Sequence, residues 1–291
     1  MKNAINTEIC TKDKLCYEVC PVKIIDINSE GNLFFIPEKI DLCFECGQCM
    51  AICTTKAVSI NGIEYGKEII DLSENKVDYN EFIHFLMHRR SVRNFKNEPV
   101  PDEVLEKIVD SVSYAPFGAS PEKMHVTIVN NRETIEKSLP EIEKFLDNIV
   151  KWVENPFMSR MIKFKKGIET FQTIKNHLYP MAKIGHYKLA NGDRITRNAP
   201  SILIFHAEND AEEHTHNALI YATYVMLSAE AAGYGASMIE IVPSAINRVK
   251  KLKEIFKIPD SHEAVMSLIV GKSKYKFRRA VKHSALKVHK I

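Results

Sequence analysis

No cysteine follows Cys53. All seven, at positions 10, 16, 20, 43, 46, 49 and 53, fall in the first fifth of the chain. An odd count excludes a framework in which every thiol is paired, and a reducing cytoplasm would not keep one. This imbalance marks a domain boundary after Cys53. Long apolar runs are also missing. The longest, Ala218 to Ala229, stops at Glu230, short of membrane-spanning length, so no membrane role is expected. Polar residues follow Met1-Lys2-Asn3-Ala4 where a signal peptide would carry its apolar core, and a cytoplasmic location is the expectation. There is no Gly-x-Gly-x-x-Gly after a strand and no Walker sequence, hence no sign of a separate dinucleotide domain. A net charge of +3 is too small to argue for nucleic acid, although the last twenty residues are locally basic. The eleven histidines form no convincing metal set, and His214-x-His216 on a helix would point to different faces. No Ser-His-Asp set or cysteine nucleophile stands out after Cys53, which leaves the catalytic residues unassigned.

What remains is an ordinary globular composition, 45% hydrophobic and 26% charged, over 291 residues. That length suggests two domains, one large enough for a sizeable core. Residues 43–53 read Cys-Phe-Glu-Cys-Gly-Gln-Cys-Met-Ala-Ile-Cys. Thiolates packed this densely on a tight loop point into a shared pocket and cannot all pair as disulfides. They can wrap a cubane iron–sulfur cluster. Zinc is the competing ligand, though its sites rarely crowd three thiolates into seven residues. The run Cys10-Thr-Lys-Asp13-Lys-Leu-Cys16-Tyr-Glu-Val-Cys20-Pro21 repeats the spacing with aspartate in the second position. A short apolar segment follows each run, Val22 to Ile27 and Ala57 to Ile60, an internal repeat of the kind a pseudo-symmetric fold requires. Gly31 and Asn61-Gly62 supply turns around Leu33-Phe34-Phe35-Ile36 and later.

Residues 1–75 resemble the bacterial two-cluster ferredoxins. The resemblance implies a ferredoxin-like module with crossed ligation. Cys20, Cys43, Cys46 and Cys49 would hold one 4Fe-4S cluster, and Cys10, Cys16 and Cys53 the other, with Asp13 in its fourth place. A carboxylate binds iron in a sulfide cage less firmly than thiolate does, so this second cluster is expected to pass readily to a 3Fe-4S form. The plainer reading leaves Asp13 solvated. Thr54 stands where proline usually follows the last cysteine, a change that removes no ligand.

From residue 78 the pattern changes. Asp78-Tyr-Asn-Glu81 fits a capping box, with Phe82, Ile83, Leu86 and Met87 at helical spacing behind it. The helix runs into Arg89-Arg90-Ser91-Val92-Arg93. Three guanidinium groups in five residues match a phosphate-bearing ligand, and a solvated basic helix end is the alternative. Pro101-Asp-Glu opens a second amphipathic helix that halts at Ala115-Pro116, and a strand is expected over His125 to Val129. Pro140 to Val153 reads as helix. Trp152, Phe157, Met158, Phe164, Phe171 and Tyr179 read as core rather than as a cofactor box. Further on come a buried strand at Ile202 to Phe205, a helix over Asn217 to Ala232 closed by Gly233-Tyr-Gly235, and a strand over Ala236 to Val242. A helix over Ala245 to Phe256, a break at Pro259 and a last strand from Ala264 to Val270 complete the pattern.

The order Arg-Arg-Ser-x-Arg, Pro-Val-Pro, helix into Ala-Pro, then strand resembles the opening of the nitroreductase family of FMN flavoproteins. Roughly residues 79–129 and 198–280 carry the likeness. It implies an α+β sandwich, a central sheet flanked by helices, over 78–291, so the whole chain is read as α+β. It also implies FMN contacts from Arg89, Arg90, Ser91 and Arg93, and from Arg278 and Arg279 after the final glycine, with Lys276 close by. Pro116 and Ser120 would contribute from the Ala-Pro loop, where Ser120 replaces the family's asparagine and Glu122 its glutamine. That departure points to a substrate pocket unlike that of a typical nitroreductase. Glu240 and Ile241 would pass the flavin ring with backbone donors that stabilise charge on reduction. Residues 132–197 would form a lid or dimer-wrapping segment, and FMN sites formed across a homodimer are expected.

The function implied is an FMN-dependent oxidoreductase fed through its own clusters. Its acceptor would be organic, such as a nitroaromatic, quinone or enone, with external ferredoxin or NAD(P)H as donor. The alternatives are a specialised flavin enzyme of the same fold and an electron-transfer or redox-sensing protein without a small-molecule substrate.

Overall fold

The computed structural model describes residues 3–74, 76–282 and 287–290. Met1, Lys2 and Asn75, at the ends of the expected first module, and part of the basic tail lie outside the described residues. The chain divides into two units, Met1–Val77 and Asp78–Ile291.

The first unit has little regular structure. Strand β1 (Ala4–Ile5) precedes helix α1 (Leu15–Val19), strands β2 (Ile25–Ile27) and β3 (Leu33–Phe35), helix α2 (Gln48–Ala51) and strand β4 (Val58–Ser59). Antiparallel pairs β1–β4 and β2–β3 form two small sheets. Gly31 turns the β2–β3 hairpin at φ 76°, and Gly62, at φ 80°, turns Ile60 back onto Ile63. Ile24, Ile25, Leu33, Met50, Val58 and Ile60 bury themselves together with Cys16, Cys20 and Cys49. So small an apolar cluster is a thin core for a unit of this size.

The second unit is built on one antiparallel sheet. It begins with α3 (Tyr79–His88), whose capping box is formed: Asp78 accepts from the Glu81 amide and Glu81 from the Asp78 amide. Then come α4 (Asp102–Asp110), β5 (Met124–Val129), α5 (Arg132–Glu154), α6 (Pro156–Lys166), α7 (Ile168–Thr173), α8 (Tyr179–Lys183), β6 (Ser201–Glu208) and α9 (His214–Ala231). Strand β7 (Gly235–Met238), α10 (Ile241–Ile246), α11 (Lys250–Phe256) and β8 (His262–Gly271) close it. The sheet order is β5-β6-β8-β7. On β6, Leu203 and Phe205 pack with α4 and α9 on one face. Ile202 and Ile204 pack with α5, α10 and α11 on the other. Every residue from Ser201 to Ala207 is buried, as a central strand covered on both faces must be. Each fully buried Ile, Leu or Phe there contributes about 1.5–3 kcal/mol of transfer free energy.

Four expectations change. The strand over Ala236 to Val242 ends at Met238, because the backbone turns helical at Glu240. Pro243 falls in the first turn of α10, where a missing N–H costs nothing. The helix over Ala245 to Phe256 is interrupted at residues 247–249. There the Asn247 side chain donates to the Ala264 carbonyl at 2.7 Å and accepts from the Ala264 amide at 2.8 Å. That pair serves β8 where its pairing with β6 slips between Phe205 and His206. The helix expected from Pro140 begins eight residues earlier, capped by Asn131, with Pro140 in its interior. The aromatic stretch is only partly core: Phe171 is buried and Trp152 packs on the core, but Phe157 and Phe164 are 75% and 90% exposed.

Candidate functional site

In the first unit the backbone repeats itself around the cysteines. Lys12, Lys14 and Lys23 adopt positive φ, and so do Glu45, Gly47 and Lys56. Each pair is related by the same offset that carries Cys10 onto Cys43, Asp13 onto Cys46, Cys16 onto Cys49 and Cys20 onto Cys53. Left-handed backbone at a non-glycine residue costs about 1 kcal/mol or more and persists only where the surroundings impose it. Five such residues at matched positions show that the two loops share one curled path.

The thiols sort into two neighbourhoods. Cys49 is pushed up to about 12 by burial and by the negative charges of Cys46, Cys43 and Cys20. Burial also raises Cys16, with Cys10, Cys53 and Asp13 adding repulsion. Cys20, Cys43, Cys46 and Cys49 line one small hollow together with Ile24, Ile25 and Phe35. Amide donors reach two thiols of the other group, Lys12 to Cys10 at 3.4 Å and Ala57 to Cys53 at 3.2 Å. Burial raises the Cys53 pKa, but backbone donors led by Ala57 and the Thr55 hydroxyl outweigh it and hold it low. Asp13 is not simply solvated: it accepts from the Leu15 amide and the Thr11 hydroxyl, each at 3.0 Å. Thiolates this close repel one another, so Cys16 and Cys49 favour the protonated thiol until a cation takes the proton's place.

In the second unit two glycines set the geometry. Gly235 on β7 pairs with Gly271 on β8. A Cβ on Gly235 would lie 2.4 Å from Val92, and one on Gly271 would lie 2.9 Å from Phe95. The segment carrying the arginines lies on this floor. Its Val92 amide donates to the Ala236 carbonyl, its Lys96 amide to Lys272, and Asn94 accepts from the Lys274 amide. The arginines are left without counter-charges, for among the described residues the arginine ion pairs all belong to Arg132. Arg89 donates to the Met226 sulfur at 3.7 Å, and Arg90 lies over Phe277.

Three hollows border this segment. Arg90, Arg278 and Arg279 line one with His84 and His88. Arg90 also lines a second, with Lys96, Lys272, Lys274 and Lys276. Arg93, Glu240 and Ile241 line the third, of about 410 Å³, with Arg194, Arg197 and Tyr187. Ser91 bridges to Ala236 between them. Glu240 and Ile241 open α10, where first-turn amides have no carbonyl partner within the helix. Pro116 and Ser120 do not line the third hollow. Their loop is tied to α9 instead: buried Asn217 accepts from the Gly118 amide at 2.7 Å and donates to the Ala119 carbonyl at 2.9 Å.

Arg194, Arg197, His177 and Tyr187 were not readable as site residues. They come from the segment 168–198, and His177 lies in the π-helical turn at Ile174–Leu178, a distortion often found at functional sites. The positions of Arg194 and Arg197 follow from a buried knot. Asp193 accepts from the Ile195, Thr196 and Asn198 amides, from the Thr196 hydroxyl and from Arg132 at 3.1 Å. Burial alone would raise its pKa, but the Thr196, Asn198 and Arg132 donors hold it below the usual carboxylate range. The only available sequence signal is Asp193-x-x-Thr196, a cap-like spacing without a helix behind it.

The nitroreductase family profile matches residues 86–272. The chain belongs to the nitroreductase family. Among solved structures, an FMN-bound nitroreductase from Bacteroides fragilis superposes with a TM-score of 0.52 at 17% identity, over 72% of this chain and all of that one. A Methanothermobacter thermautotrophicus protein provisionally named NADH dehydrogenase/NAD(P)H nitroreductase is 31% identical over 72 residues, a quarter of this chain and 37% of that one. An iodotyrosine deiodinase of Nematostella vectensis is 23% identical over 225 residues, 76% of this chain and 79% of the relative. A ferredoxin of Hydrogenibacillus schlegelii named 7Fe is 43% identical over 54 residues, 18% of this chain and 64% of that one. The chain thus spans well under half of the M. thermautotrophicus relative. Among the described residues no helix is long and apolar enough to cross a membrane.

Proposed function

We propose that this nitroreductase-family chain is an FMN-dependent oxidoreductase that receives electrons through two iron–sulfur clusters in its own N-terminal unit. The observation that carries the reading is the matched pair of curled loops whose donor side chains divide as Cys20, Cys43, Cys46 and Cys49 against Cys10, Asp13, Cys16 and Cys53. The likeness to a ferredoxin named 7Fe supports it. Cys20, Cys43, Cys46 and Cys49 would hold a 4Fe-4S cluster. Cys10, Cys16 and Cys53 would hold the second, with Asp13 offering a carboxylate lone pair that its two present donors leave free.

The residues around Arg93 fit a flavin nucleotide. Unpaired Arg90, Arg278 and Arg279, with Arg89, Ser91 and Lys276 nearby, suit a phosphate and its ribityl chain. Arg93 suits an anionic or carbonyl edge, and the Glu240 and Ile241 amides suit a ring that gains charge. A homodimer belongs to the reading. Pro116 and Ser120, away from their own chain's hollow, would reach a flavin only across a subunit boundary, and the neighbouring Tyr114, Phe117 and Leu219 are exposed. When bound, the clusters would supply single electrons and the flavin would deliver two electrons, with protons, to an organic acceptor such as a nitroaromatic, quinone or enone. The protein's part is to hold these groups, tune their charge and shape the acceptor pocket with Tyr187, Arg194 and Arg197.

Anaerobically reconstituted protein tests this. It should bind FMN and turn over an acceptor panel under reduced ferredoxin, with NAD(P)H measured separately. Electron paramagnetic resonance of wild type against Asp13→Cys should show a three-iron signal that the variant lacks; identical spectra would remove Asp13 from the ligand set. Protein that binds no flavin after FMN is added would refute the flavoenzyme reading.

A further inference from the structure

The histidines, scattered in sequence, meet on the sheet. Strand register puts His125 on β5 opposite His206 on β6, and Glu208 on β6 opposite His262 on β8. His206 and Glu208 are two residues apart and share a face. Three strands therefore bring three imidazoles and a carboxylate to one end of the sheet, on the side of α11. Ligand atoms of His125, Glu208 and His262 all lie within 4.8 Å of one another. His125 Nε2 is 3.7 Å from Glu208 Oε1. Ligands at zinc–nitrogen and zinc–oxygen distances sit about 3.3 Å apart around a tetrahedral ion, so small side-chain movements would close the set.

We propose that His125, Glu208 and His262 bind a divalent transition cation of the zinc class, with His206 positioning His262. The fourth position would face solvent, since the His125 and Glu208 side chains are 41% and 42% exposed. His206 is buried, its Nε2 3.0 Å from the Thr127 hydroxyl and its Nδ1 2.9 Å from His262 Nδ1. One proton lies between the two Nδ1 atoms when both rings are neutral. If His262 Nδ1 donates and His206 Nε2–H donates to Thr127, the lone pair of His262 Nε2 is free for a metal. A histidine ligand fixed through its other nitrogen is what metal sites use.

The charged groups around the cluster decide its selectivity. The Lys253 ammonium, held by the Pro259, Asp260 and His262 carbonyls, opposes a cation. Glu208 offsets it from within the set. Glu263 is 3.9 Å from His214, on the edge of the same region. One carboxylate and neutral imidazoles beside a lysine suit a metal that bonds to nitrogen, and not magnesium or calcium, which need several oxygens.

The test is equilibrium dialysis of the full-length, cofactor-loaded protein against micromolar zinc, with metal counted per chain. Wild type should take up one zinc beyond its cluster iron. Glu208→Gln and His125→Gln, at half-buried and exposed positions, should weaken it tenfold or more, and His206→Gln about tenfold. Exposed His216→Gln should leave it unchanged. Thiolate-to-metal absorption on substituting cobalt should be absent, which separates this site from the cysteines. No zinc in wild type, or zinc retained by both Glu208→Gln and His125→Gln, overturns the proposal.

Discussion

Replacing Gly235 by alanine should loosen the arginine segment from the sheet. The new Cβ would sit 2.4 Å from Val92 Cγ2 and 2.7 Å from Val92 Cβ, closer than non-bonded carbons approach. Val92 is 4% exposed and its amide is bonded to Ala236, so it has nowhere to move without carrying Ser91 and Arg93 with it. Overpacking of this kind costs about 1–3 kcal/mol. In a unit of this size each kcal/mol is about 2–4 °C of Tm, and thermal unfolding followed by circular dichroism should show a loss of several degrees. Truncating the clashing partner supplies the control. Val92→Ala alone should cost about 2 kcal/mol from lost burial, whereas combined with Gly235→Ala it should recover at least about 1 kcal/mol of coupling. If Arg93 holds FMN as proposed, affinity should follow the same pattern, since displacing it would forfeit a charge-assisted contact of about 1.5–3 kcal/mol, tenfold or more in Kd. Strict additivity of the two substitutions, within about 0.5 kcal/mol, would refute the claim that Gly235 exists to admit Val92.

Arg93→Ala, an exposed change, should weaken FMN binding about tenfold by fluorescence titration while leaving Tm nearly unchanged. Asp193→Asn should cost about 3 kcal/mol, because Arg132 is left beside a neutral group, and denaturant melts should show it. Because the folded-state pKa of Asp193 is depressed, its stabilisation is full above the unfolded carboxylate pKa and is lost as pH falls through the lower folded value. The wild type–variant gap should therefore be constant at neutral pH and close only at strongly acid pH. Asn217→Ala should cost about 1–3 kcal/mol by orphaning the Gly118 amide and should speed proteolysis at residues 117–120.

Much of the fold could be read from local pattern. The capping box at Asp78, the helix from Asp102, strand β5 and the buried strand β6 followed from periodicity and punctuation, because each is decided by residues a few positions apart. Two boundaries were misjudged for tertiary reasons. A side chain reaching across to Ala264 accompanies the break in one helix, and the backbone turns helical at Glu240, ahead of the Pro243 that α10 tolerates in its first turn. The aromatics of α6 could not be sorted, since core and solvent faces differ only by what packs against them.

The chain's own order of residues determined the family, the repeat of cysteine loops and the placing of Asp13, for these are matters of spacing along one backbone. Only the tertiary structure decided what crosses between strands and loops. It brought Arg194 and Arg197 beside Arg93 through the Asp193 knot, made Gly235 and Gly271 a shared floor, and gathered His125, Glu208 and His262 from three strands. Strand register, which no single segment encodes, decides which distant side chains face one another.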